Sequence, residues 1–216
     1  MKKEKNIANK ETKALIIDCA GRLIAKYGYP SVTSKRICEE AKVNMAAINY
    51  HFGSRDGLYT AVLNETHDFL ISIDELNKLY LSDLSAKEKI ETFVDIFIER
   101  LSNKKNWYLK VWAREIVNPS PFIKLILSKE TLLKLSIVSK IFSEYIELPI
   151  TDLRLYSCIL SSVSPFIITF LAHGTFEHFP VKFSEKDLVS HLKKILLFGL
   201  DEFKKYELKY IFDNNN

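Results

Sequence analysis

Residues 33–63, TSKRICEEAKVNMAAINYHFGSRDGLYTAVL, constrain the fold of this chain more than any other stretch. Two short helical patterns lie on either side of a four-residue break, Lys42-Val43-Asn44-Met45, and a third follows Gly53. That spacing lays the second short helix across the first, where it can enter a DNA major groove. Thr33 and Asn44 stand where N-caps belong, since their side-chain oxygens can accept from the free N–H groups of a first turn. Ile37, Cys38 and Ala41 give the first helix an inner face, and Ile48 and Phe52 point inward from the second.

The excess positive charge travels with this segment. Residues 1–60 hold 11 Lys+Arg against 6 Asp+Glu, a net +5, and the rest of the chain nets −1. Attraction to phosphates requires that polarity, although a solubilising basic N-terminus accounts for the charge equally well. Apolar residues make up 47% and only six Gly and six Pro interrupt the chain, which favours a mostly helical globular protein over disorder. Cys19, Cys38 and Cys158 lie among apolar neighbours at no metal spacing, so they read as reduced, buried small hydrophobes of a cytoplasmic protein. The opening MKKEKNIANKE has no apolar signal segment.

The first eleven residues read as a frayed polar arm. From Thr12 to Tyr27, Leu15, Ala20, Leu23, Ile24 and Tyr27 form one sticky face, and Gly28 stops the helix. A fourth helix runs from Arg55 to about Ile73, with Asp56 suiting the dipole of its first turn. Helical patterns follow over Ala86–Leu101, Trp107–Val117, Pro121–Ile146, Thr151–His173 with Thr151 as cap, and Glu185–Tyr210 with Ser184 as cap. The expectation is an all-α protein of about nine helices: a helix-turn-helix domain over 1–60 and a helical effector-binding and dimerisation domain over 61–216. The uncharged stretch Leu155–Ala172 is about 27 Å long as a helix, nearly enough to span a bilayer. Its serines, Thr169 and the central Pro165, with no second span, favour a buried or subunit-contacting helix and no membrane partner.

These residues carry a likeness. Lys26-Tyr27-Gly28, Thr33, Ile37-Cys38-Glu39-Glu40-Ala41, Asn49-Tyr50-His51-Phe52 and Arg55-Asp56-Gly57-Leu58-Tyr59 together resemble the DNA-binding domain of TetR/AcrR-type transcriptional regulators. Asn44–Gly53, NMAAINYHFG, is similar to the CecR-like branch. Lys42 departs from the pattern, because the family usually has Gly in that turn; a left-handed lysine costs about 1 kcal/mol. The resemblance implies a sequence-specific, dimeric repressor released from a pseudo-palindromic operator by a small-molecule effector, with no cofactor and no enzymatic activity. Activation, or a small-molecule-binding helical protein without specific DNA contacts, stay open as alternatives.

Within the reading segment, phosphate contacts position and base contacts specify. Thr33 and Ser34 lie at a helix N-terminus, which favours an anion. By resemblance, Tyr50, His51 and Arg55 match positions that meet the DNA backbone. Lys35 suits either a phosphate or guanine, and Asn44 caps the reading helix beside the DNA. Met45, Ala46, Ala47 and Asn49 are the base-side candidates. The small side chains allow close approach, methyl groups suit thymine, and Asn49 can pair with adenine, so an A·T-leaning half-site is expected. Affinity then needs two copies, and the last two long helices are the expected homodimer contact through Ile159, Leu160, Val163, Phe166, Ile167 and Phe170 with Leu188, Leu192, Ile195, Leu196 and Leu200. For the effector, Trp107, Trp112, Phe122, Phe142, Phe166 and Phe170 are candidate aromatics, with Arg114 and Glu115 as polar handles; ordinary core roles remain the alternative. His173, Glu177 and His178 have no second cluster to complete a metal site, so no metal is expected.

Overall fold

The computed structural model describes residues 2–102, 107–122, 130–172 and 184–214. Among them every regular element is helical. The chain divides into two compact units, Met1–Phe69 with Lys105–Thr131, and Leu70–Lys104 with Leu132–Asn216.

The first unit contains α1 (Lys2–Tyr27), α2 (Ser34–Ala41), α3 (Met45–Phe52), α4 (Arg55–Leu70, its last residue excepted) and α7 (Trp107–Val117). The frayed arm expected at the start is instead the first turns of α1. Lys, Glu and Ala there are good helix formers, and neither Gly nor Pro breaks the run. The buried stripe of α1 is Ile16, Cys19, Ala20 and Ile24; Leu15 and Tyr27, expected on that face, are 45% and 38% exposed. Those two positions sit one step off the four-residue repeat that the neighbouring helices cover. Gly21 lets α7 close on α1, since a Cβ there would lie 2.5 Å from the Trp107 ring. The indole is fixed by Nε1 donating to the Asp18 carboxylate at 2.9 Å.

The second unit holds α5 (Ile73–Tyr80), α6 (Ala86–Leu101), α8 (Glu130–Ile146, from Leu132 onward), α9 (Leu153–Leu171) and α10 (Glu185–Asn214). The fourth helix does not reach Ile73. It stops at Leu70, and Ser72 with Glu75 starts α5 as a reciprocal capping box. That S-x-x-E signature was available in the sequence. Ser85 and Glu88 start α6 in the same way. Asp152, rather than Thr151, caps α9, because its carboxylate accepts from the Arg154 N–H at 2.9 Å and also pairs with the Arg154 guanidinium. Ser184 caps α10 by accepting from the Asp187 N–H at 3.0 Å.

Phe93 of α6 meets Phe142 of α8 edge-on, with Ile90, Ile141, Leu155 and Phe166 fully buried around the same unit. Ion pairs Lys87–Asp201 at 2.7 Å and Lys193–Asp95 at 2.6 Å tie α6 to α10. The helix α9 is long and apolar enough to cross a membrane, yet it packs against α6 and α10. All three cysteines are buried and none is in a disulfide.

Candidate nucleic-acid interface

The reading segment is built by caps. Thr33 has extended backbone, and its hydroxyl oxygen accepts from the Arg36 N–H at 3.3 Å, opening α2. The helix ends at Lys42, whose φ of 53° and ψ of 41° are left-handed, with its N–H donating back to the Glu39 carbonyl at 3.3 Å. The Val43 N–H then donates to the Cys38 carbonyl at 3.0 Å, so the turn closes despite the lysine. Asn44 restarts the chain, with Oδ1 accepting from the Ala47 N–H at 3.1 Å. Cys38 Sγ donates to the Asn44 carbonyl at 3.6 Å, which ties α2 to the first residue before α3. Gly53 ends α3 with a φ of 76°.

Packing then decides which way α3 faces. Ile48 is buried and Phe52 half-buried against the core, as the sequence predicts. Met45 is 51% and Tyr50 74% exposed, and Ala46 and Asn49 are exposed beside them. Ala47 and His51 are half-buried at the edges of this face, with His51 edge-on to Tyr50 at 5.0 Å. Thr33, Lys35 and Asn44 are exposed and Ser34 is half-buried.

Arg55 has a structural task within this unit. Its Nη2 donates to the Tyr29 carbonyl at 2.6 Å and its guanidinium lies 4.2 Å from the Tyr29 ring centroid. Its buried Nε has no partner. Tyr29 stacks on Tyr59 at 4.0 Å, and Phe122 stands edge-on to both at 5.7 Å. The Tyr29 hydroxyl donates to Asp56, and the Tyr59 hydroxyl to the buried Glu115 carboxylate. The Ser120 N–H donates to the other Glu115 oxygen at 2.8 Å. Burial, reinforced by the hydrogen bond to Asp56, pushes the Tyr29 phenol up to about 12. Burial and then Glu115 push Tyr59 in the same direction.

The effector candidates divide between the units. Trp107, Trp112, Arg114, Glu115 and Phe122 belong to the first, and Phe142, Phe166 and Phe170 to the second. Glu115 and Phe122 come together around Tyr59, while Trp107 fills the α1–α7 contact. Arg114 is exposed and donates to the Ala25 and Lys26 carbonyls at 3.3 and 3.4 Å, closing the C-terminus of α1. Trp112 and Phe170 are half-buried, and Phe142 and Phe166 are fully buried. No group of three or more metal-ligating side chains occurs among the described residues; His173, Glu177 and His178 lie outside them.

Residues 16–62 match the family described as bacterial regulatory proteins, tetR family. Residues 86–202 match the C-terminal domain of the HTH-type transcriptional dual regulator CecR. Among solved structures, the chain is similar to a putative fatty acid metabolism regulator of Clostridium perfringens, at 18% identity and a TM-score of 0.68, over 86% of this chain and 97% of that one. It is also similar to the fatty acid degradation regulator FadR from Bacillus halodurans, at 17% identity and a TM-score of 0.66, over 88% and 96%. FadR from Bacillus subtilis in complex with stearoyl-CoA matches at 17% identity and a TM-score of 0.65, over 85% and 97%. A comparison with curated proteins finds no match. At these identities the structural likeness speaks for the fold.

Proposed function

Since the chain belongs to the tetR family of bacterial regulatory proteins, which are transcriptional regulators, we propose that it is a dimeric cytoplasmic repressor released from a pseudo-palindromic operator by a small molecule. The observation that carries this reading is the outward face of α3. Met45, Ala46, Asn49 and Tyr50 meet solvent while Ile48 anchors the helix from behind. An exposed Met, Ala and Asn on a capped eight-residue helix serve no packing purpose, and they suit thymine methyls and adenine edges. Thr33, Ser34, Lys35, Tyr50 and His51 grip phosphates beside that face, and Asn44 holds its first turn. Arg55 reaches a phosphate only by sharing its guanidinium with Tyr29.

Pairing supplies the affinity that one short helix lacks. Leu160 and Ile195, expected at the contact, are 65% and 68% exposed, together with Leu153, Ile168, Leu171 and Phe198. Ile159, Phe166, Ile167 and Leu200 serve the subunit's own core instead. Two such faces on α9 and α10 form a four-helix contact across a twofold axis. Residues 1–60 then read DNA, and 61–216 sense and dimerise.

Selection of duplexes from a random pool, followed by anisotropy titration at stated salt, tests the reading. A recovered A·T-leaning inverted repeat bound by two chains supports it. Salt-sensitive binding without sequence preference refutes it in favour of a protein that has lost its operator. Leu160→Glu with Ile195→Glu should give monomers by light scattering and lose operator binding. The matched C-terminal domain is named for a dual regulator, so a promoter–reporter fusion reads the sign of the effect.

A further inference from the structure

Two exposed cations lean on one tyrosine at the end of α1. The Arg36 guanidinium lies 3.9 Å from the Tyr27 ring centroid, and Lys26 Nζ lies 5.1 Å from the same point. Neither cation forms an ion pair among the described residues, although Glu39 and Glu40 share α2 with Arg36. Hydrogen bonding with Lys26, helped by Arg36, holds the Tyr27 phenol below its ordinary range. A guanidinium stacked on a ring is fixed in plane and keeps its N–H edge available for a planar-forked acceptor such as a phosphodiester.

The surroundings favour an external anion. Arg36 is one turn from Thr33, whose hydroxyl accepts the Arg36 N–H, so its side chain leaves α2 beside the N-terminal turn. Two of the C-terminal carbonyls of α1, those of Ala25 and Lys26, already accept from Arg114. We propose that Lys26, Tyr27 and Arg36 form a second phosphate grip, holding a DNA backbone phosphate next to the one at the N-terminus of α2. The grip rests on the DNA-binding reading above and extends it from the helix-turn-helix to the end of α1. Tyr27 orients the cations and Lys26 and Arg36 neutralise the phosphate.

Counterion release makes the grip measurable. Each neutralised phosphate adds about 0.9 to the slope of log K against log salt on B-DNA, and a dimer carries the grip twice. Anisotropy titrations of the full chain on a selected duplex, from 50 to 300 mM salt, should show that slope fall by about 1.8 in the Lys26→Ala/Arg36→Ala double variant, one phosphate in each of two half-sites, and by a smaller amount in either single variant. Arg36→Lys should keep the wild-type slope, as should Lys186→Ala on α10. Circular dichroism and melting temperature check that each variant is folded, and Lys26→Gln on the exposed side carries the test should Arg36→Ala unfold. Folded variants with the wild-type slope overturn the second grip alone. Wild-type protein that binds selected and unrelated duplexes alike overturns the DNA-binding reading beneath it.

Discussion

Gly57 lies in the first turn of α4, and an alanine there tests how rigidly the recognition helix is held. In an open helix the change would stabilise by about 1 kcal/mol, because alanine is the better helix former. Here the new Cβ would stand 2.0 Å from the Phe52 carbonyl oxygen and 3.2 Å from its carbon. Reaching an ordinary contact requires a shift of about 1.4 Å in backbone, at the last residue of α3. Overpacking that moves backbone costs about 1–3 kcal/mol, and a carbonyl wedged between two helices belongs at the upper end. Less the helical gain, Gly57→Ala should lose about 2 kcal/mol, equivalent to roughly 4–8 °C in melting temperature for a chain of this size. Displacement of α3 should also weaken binding to a selected duplex by about tenfold or more. Thermal circular dichroism gives the first quantity and anisotropy the second. An alanine variant that melts at or above the wild type and binds DNA equally well would refute the reasoning, because the α3–α4 corner would then yield freely.

Lys42→Gly should stabilise the chain by about 0.5 kcal/mol, since relief of the left-handed lysine exceeds glycine's extra chain entropy; a lowered urea midpoint would show that the turn carries no such cost. Tyr59→Phe removes a donor from the buried Glu115 carboxylate and should cost about 1.5–3 kcal/mol in urea unfolding, with a loss near zero meaning that the carboxylate is otherwise satisfied. Tyr29 titrates near 12 when folded and near 10 when unfolded, so its contribution to stability is complete below pH 10 and lost as pH rises through 12. Ultraviolet titration should find a tyrosinate that forms late in the native protein and disappears in Tyr29→Phe; ionisation of every tyrosine by pH 10.5 would contradict the half-buried setting of Tyr29 and its hydrogen bond to Asp56.

The reading head was legible because its determinants are local. A cap is one residue and the N–H groups that follow it, so Thr33, Asn44 and Ser184 reveal helix starts without any knowledge of the fold. Ser72 with Glu75 carried the same kind of signal, and α5 was missed only because the apolar run through Leu70 and Ile71 reads as one continuous helix. The inward Ile48 follows from helical periodicity, and so does the outward pairing of Ala46 with Asn49 and Tyr50.

Long-range neighbours leave no such trace. Periodicity identifies Ile159 and Leu160 as equally apolar, but only packing by α6 and α10 buries the first and exposes the second. Glu115 and Phe122 read as loose polar and aromatic groups until α7 folds back upon the first helices, where Tyr59 binds both. Packing of Tyr29 beside the start of α4 likewise turned Arg55 from a free cation into the partner of a residue 26 positions earlier in the chain. Helix starts and faces were therefore decided by the sequence, through backbone hydrogen bonds and side-chain period. Which groups remain available for a partner was decided by the tertiary structure, because availability depends on what distant segments have already covered.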